Sequence, residues 1–107
     1  MTKAYMQMAT SLGACGDGTT ASTPAAVEIN LGFKPKYVKV VVIDTTCAQT
    51  EWIQGMTAAK GVHLKVDAAA ISFAELGADG ITVSARGFTI GTAAQVASKK
   101  YHWVALG

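Results

Sequence analysis

What most constrains the fold of this chain is a series of short segments in which apolar and polar residues alternate, separated by turn-forming Gly, Pro, Asp and Ser. A period of two puts successive side chains on opposite faces of an extended strand, and many such segments at short spacing predict an all-β sandwich or barrel. In "AVEINLGF", residues 26–33, Val27, Ile29 and Leu31 alternate with Glu28 and Asn30. Pro35 stops that ladder, and "KYVKVVVID" follows, with Val38, Val40 and Val42 on one face and Tyr37, Lys39, Val41 and Ile43 on the other. Apolar residues on both faces predict a central strand. "DTTCAQT" reads as a connection, and "EWIQGM" as a short strand with Trp52 or Ile53 facing inward. "GVHLKVD" alternates through Val62, Leu64 and Val66, which leaves Lys65 on the opposite face and places His63 outside.

"AAAISFAELGADG" holds two readings. Its Ala, Glu and Leu favour a helical turn between Ala68 and Leu76, whereas the alternation of Ile-Ser-Phe and the turn signal at residues 77–80 favour a strand around Ile71–Ala74. In "ITVSARGFTIG" the alternation runs through Ile81, Val83 and Ala85, pauses at Gly87, where a bulge or corner is possible, and resumes at Phe88 and Ile90. After the small and polar "GTAAQVASKK", "YHWVALG" sets Tyr101, Trp103 and Ala105 on one face and His102, Val104 and Leu106 on the other. Apolar on both sides, it is expected to close the sheet between neighbours. About seven short strands and no convincing helix predict an all-β fold, a single antiparallel β-sandwich with an extended N-terminal arm.

The arm is expected over residues 1–25 and the sandwich domain over residues 26–107. "LGACGDGTTASTPAA" has almost nothing large to bury and reads as a loop, while Tyr5, Met6 and Met8 before it could anchor the arm or form a short edge strand. A length of 107 residues suits one domain. Only 15% of residues are charged, a low share for a free monomer and one that suits a subunit hiding surface in an assembly. Nine Lys and Arg against seven Asp and Glu, scattered along the chain, lack the dense basic face of a nucleic-acid-binding module. No apolar run reaches the length of a membrane span, and the N-terminus lacks a signal-peptide core, so the expectation is a protein made in the cytoplasm.

Residues that could carry chemistry do not form a recognisable constellation. "GACGDG" lacks the Lys-Ser/Thr pair of a phosphate loop and follows no strong strand. His63 and His102 sit in β patterns, and with Cys15 and Cys47 they show no metal-ligand spacing, so neither a metal nor a cofactor is expected. The two cysteines allow one bridge, two thiols or an intermolecular link; two thiols suit a reducing cytosol. No nucleophile elbow is present, and Glu28, Asp44, Glu51, Asp67, Glu75 and Asp79 fall mostly in turns or on polar strand faces. No catalytic residue is expected. Trp52, Trp103, Tyr37, Tyr101 and the three Phe could make a carbohydrate platform if exposed together, but sandwich cores use such residues for packing.

Taken together, "LGFKPKYVKV", a Trp in the next run, and "GADGITVSARGFTIGTAAQVASKKYHWVALG" resemble small β-sandwich modules of tailed-bacteriophage virion proteins. The resemblance runs from Leu31 to Gly107 and rests on a "GF-x-P-x-x-V" opening coupled to a closing "GF-x-(I/V)-G" and "Y-x-W-x-A". It implies a structural role without catalysis or cofactor, on the capsid surface of a virion assembled in the host cytoplasm. A capsid decoration (cement) protein fits a chain without fibre shaft or repeat. The resemblance then implies the major capsid protein as partner, a homo-oligomer such as a trimer, and Tyr5, Met6 and Met8 as partner-binding residues. The alternative is a tail-fibre or spike tip that binds host-surface carbohydrate through exposed aromatics. Where the family often carries Asn after the closing glycine, this chain has Ala94, Gln95 and Val96, a departure that weakens any inherited ligand site.

Overall fold

The computed structural model describes residues 12–43, 47–66 and 70–107. They form nine strands: β1 (Gly13–Thr19), β2 (Val27–Asn30), β3 (Tyr37–Val42), β4 (Cys47–Ile53), β5 (Val62–Val66), β6 (Ile71–Glu75), β7 (Ile81–Ser84), β8 (Gly87–Ile90) and β9 (Lys100–Leu106). A single 3-10 turn spans Thr92–Ala94. The strands make a six-stranded sheet in the order β1-β9-β3-β4-β5-β6 and a three-stranded sheet in the order β2-β8-β7, antiparallel throughout. The predicted antiparallel β-sandwich is what the chain adopts. "Ile-Ser-Phe" is strand and not helix, and there are nine strands in place of about seven because "GACGDGT" is a strand as well and "ITVSARGFTIG" folds back on itself as the β7–β8 hairpin.

The core lies between the small sheet and the middle of the large one. Val38, Val40 and Val42 on β3, Trp52 on β4, and Tyr101 and Ala105 on β9 are buried against Ile81, Phe88 and Ile90. β3 and β9 alternate as the sequence predicts, and of the two faces this separates, the one holding Val38, Val40, Val42, Tyr101 and Ala105 is inward. The two strands are neighbours in the middle of the ladder, with Val38 opposite Ala105 and Val40 opposite Trp103. The Phe88 and Trp103 rings meet edge to face across the sandwich, 5.3 Å between centroids, a geometry that adds about 0.5–1.5 kcal/mol to the area they bury.

The expected arm is a correction in part. From Gly13 to Thr19 it forms β1, the edge of the large sheet, paired along its length with β9. Its glycines make this possible. Gly16 lies opposite Trp103 and Gly18 opposite Tyr101 on the inner face, and a Cβ on Gly16 would sit 2.7 Å from the Trp103 ring, while one on Gly18 would collide with the Tyr101 phenol. The two aromatic rings therefore lie over bare backbone and cover it. After β1, the buried Gln95 side chain holds the following residues against the sandwich. Its Nε2 donates to the carbonyls of Ala25 (2.8 Å) and Ile90 (3.1 Å), and its Oε1 accepts from the hydroxyl of the buried Thr20 (2.9 Å). Thr20 N–H also donates to the Lys99 carbonyl at 2.9 Å.

Two smaller expectations also change. Part of the "DTTCAQT" connection is strand, because Ala48 and Thr50 pair with Val42 and Val40 on the inner face. Ala85 belongs to the β7–β8 turn, since Ser84 already pairs with Gly87. No helix among the described residues is long and apolar enough to cross a membrane.

Gly16→Val is expected to lower stability by about 1–3 kcal/mol, the cost of overpacking beneath a ring that cannot withdraw. Thr19→Val, exposed on the opposite face of the same strand, should change it by no more than about 0.5 kcal/mol. Urea denaturation of the two variants beside the parent checks both.

Candidate interaction surface

Register decides which face of each strand meets the core. In β4, Ala48, Thr50 and Trp52 point inward, so the pairing of Thr50 with His63 and of Ala48 with Lys65 puts His63 and Lys65 on the inner face. Val62, Leu64 and Val66 consequently face outward, which reverses the expectation for β5. The physical reason is polar. Thr50 is 1% exposed, and its hydroxyl is satisfied by Nδ1 of His63 at 2.8 Å; a valine there would leave a buried hydroxyl without a partner. His63 is half-buried, and desolvation, with a smaller contribution from the Lys65 charge, holds its imidazole below the ordinary value of 6.5.

The same register carries to β6, where Ile71 and Phe73 share the outer face with Val66 and Leu64, and Ser72 and Ala74 share the inner face with Lys65 and His63. The β5–β6 hairpin is therefore polar toward the sandwich and apolar away from it. All five residues of β6 are exposed, with Ile71 at 75% and Phe73 at 70%.

Across the large sheet, one outer-face row runs Cys47, Val66, Ile71 and the next runs Val41, Gln49, Leu64, Phe73. Ile53 and Leu106 lie on the same face at the far end, flanking Tyr37. Every large hydrophobic that is both in a strand and exposed, namely Ile53, Val66, Ile71, Phe73 and Leu106, sits on this one face. The small sheet behaves oppositely: Val27, Ile29, Ile81, Phe88 and Ile90 pack inward, while Glu28, Thr82 and Thr89 point to solvent. An antiparallel sheet with one solvated face carries polar residues there, as the small sheet does.

A polar bar divides the outer face. The Tyr37 hydroxyl donates to Oε2 of Glu51 at 2.7 Å, and Nε2 of Gln49 donates to Oε1 of the same carboxylate at 2.9 Å. Desolvation first, then the hydrogen bond and charge of Glu51, push the Tyr37 phenol up to about 12. Chiefly the Tyr37 hydrogen bond, then that from Gln49 and the charge of Lys39, bring Glu51 below its ordinary range against an opposing effect of burial. Tyr37 thus stays a donor and Glu51 an acceptor at any physiological pH, and the bar keeps its shape.

The sequence-predicted residues scatter. Tyr5, Met6 and Met8 lie outside the described residues. Cys15 and Cys47 are both exposed on the outer face, on β1 and β4 with β9 and β3 between them. Three strand spacings, about 14 Å, are twice the reach of a disulfide, so a bridge within one chain is excluded. His63 and His102 occupy opposite faces of the sheet. Among the described residues no three His, Cys, Asp or Glu side chains gather as metal ligands. Trp52 is 6% exposed, Tyr101 5%, and Trp103 is half-buried under β1, so these aromatics form core and not a platform. A groove of about 430 Å³ opens at the edge of Trp52, between Lys34, Lys36, Gln54, Met56 and Val83. Its lysines are exposed, and every buried side-chain polar atom among the described residues already has a partner.

The outer face of β4, β5 and β6 was not foreseen, although its signal is in the sequence: Val62, Leu64 and Val66 alternate, and so do Ile71 and Phe73. No family model, curated protein or solved structure matches this chain.

Because His63 is harder to protonate folded than unfolded, stability is full above about pH 6.5 and falls as pH drops below it, levelling once the folded-state value is passed. Glu51 contributes in a separate window, at still lower pH, where its lowered carboxylate is protonated. Urea midpoints at about pH 7.5 and about pH 5.5 should differ in the parent and draw together in His63→Gln, which keeps a hydrogen-bonding group for Thr50 without the titration.

Proposed function

We propose that this chain is a structural protein of a tailed-bacteriophage virion, a capsid decoration (cement) subunit that binds the major capsid protein and stabilises the outer surface of the head. The observation that carries the reading is the apolar outer face of the β5–β6 hairpin, which a chain working alone in water would present polar. Aromatic residues closed into the core and the low charge of the chain agree with a subunit whose work is adhesion. In this reading the protein is not an enzyme and needs no cofactor. Residues before Gly13, with Tyr5, Met6 and Met8, make the contact with the shell, while the sandwich supplies surface that is covered within the homo-oligomer. Each contact is modest and the lattice multiplies it.

The rival, a tail-fibre tip that grips carbohydrate, requires exposed aromatics set side by side. With Trp52 and Tyr101 buried, Phe73 is the one strongly exposed aromatic among the described residues, which gives a sugar ring no second wall.

Purified protein mixed with undecorated heads should co-sediment with them and raise their resistance to heat. Tyr5→Ser, Met6→Ser and Met8→Ser combined should weaken binding by roughly 10-fold or more, with the sandwich still folded. Absence of the full-length protein from the pelleted heads overturns the reading.

A further inference from the structure

The outer face of β4, β5 and β6 has a shape and chemistry that fit one occupant. We propose that it is covered by the same face of a second copy of this chain, the two sheets stacking about a two-fold axis. The inference rests on the reading of the chain as an assembly subunit and names the partner of that surface.

The residues of the patch are Cys47, Leu64, Val66, Ile71 and Phe73, with the neutral Gln49 among them. None is charged, so two copies can meet without like charges facing each other. The charged residues within β5 and β6 themselves are placed to allow it. Lys65 is turned to the inner face by its pairing with Ala48, and Glu75 is one row beyond Phe73, opposite Val62. Farther along that same row, Lys39 and Glu51 put both signs on the described side of the rim, so that opposite charges of two copies can meet there. Had the occupant been a strongly charged partner, the patch or its rim would carry one sign.

Area agrees. With Ile71 75%, Phe73 70% and Val66 38% exposed, and large side chains offering roughly 150–200 Å² each, the patch exposes roughly 270–370 Å² of apolar surface per copy. With a polar rim in the usual proportion, the total buried by two copies is about 1,100 Å², the size of a weak, transient pair and above that of ordinary crystal contacts. That predicts a reversible dimer, dissociating on the order of micromolar concentration, and not an obligate one. A face that pairs with itself is isologous and closes at two copies, so further growth needs another surface. Stacking also accounts for the direction of the hairpin's amphipathy. Pairing along the free edge of β6 would satisfy its backbone but leave Ile71 and Phe73 still facing water.

Sedimentation equilibrium of the full chain, over a concentration series and with reductant present, tests this without phage heads. The expected result is a monomer–dimer equilibrium that Ile71→Lys and Phe73→Glu each weaken at least about 100-fold. Arg86→Glu, in the β7–β8 turn of the other sheet, should leave it unchanged. Ile71 and Phe73 are exposed in the single chain, so unchanged circular dichroism and urea midpoints are expected for both variants. A monomer throughout, a trimer, or a dimer indifferent to both substitutions overturns the proposal. The co-sedimentation with heads stands or falls separately, since a chain that stays monomeric can still bind the shell through residues 1–11.

Discussion

The contact on which the rest of the structure depends is that of two aromatic rings on two glycines. Tyr101 and Trp103, two apart on β9, lie over Gly18 and Gly16, two apart on β1. Neither half works alone. A strand of Gly, Ala, Cys, Asp and Thr has too little side chain to hold itself on a sheet, and glycine in a strand is costly in entropy. Covered by rings already packed on the core, it becomes a stable edge. β9 is then paired on both sides, by β1 and β3, and the Phe88–Trp103 contact ties the small sheet to the same ring. The Gln95 amide continues the closure by gathering Thr20, Ala25 and Ile90 around one buried side chain.

That arrangement has a functional consequence. Aromatic side chains committed to covering glycine and filling the core are not available as a ligand platform, and Trp52 and Tyr101 are committed in this way. What the molecule leaves for recognition is the outer face of the large sheet. The sandwich is asymmetric: the small sheet is polar outside, whereas the large sheet carries exposed hydrophobics on its outer face along β5 and β6. Among the described residues nothing covers that face, and this is the asymmetry that the proposed assembly of the chain resolves.

Alternation made most of the strands legible, and for β3 and β9 it separated the two faces, of which the one holding Val38, Val40, Val42, Tyr101 and Ala105 is the buried one. It left the inward face of these two strands open, and for β5 it suggested the wrong one. A period of two says that Val62, Leu64 and Val66 share a face; it does not say which face is the core, and the partner of Thr50 settled that in favour of His63. β1 was illegible for a different reason. Glycines have no side chains with which to show a period, so "GACGDGT" carries no hydrophobic signal even though its two inner glycines match Tyr101 and Trp103 in spacing. The interaction surface was hidden by the same ambiguity as β5, since Val62, Leu64 and Val66 were expected inside.

Hydroxyl-radical footprinting of the dilute chain and of the assembled protein measures the cover directly. The account predicts that Phe73 and Ile71 are heavily oxidised when the chain is dilute and protected in the assembled state, while the buried Trp52 is shielded in both. Equal oxidation of Phe73 and Ile71 in the two states would contradict it.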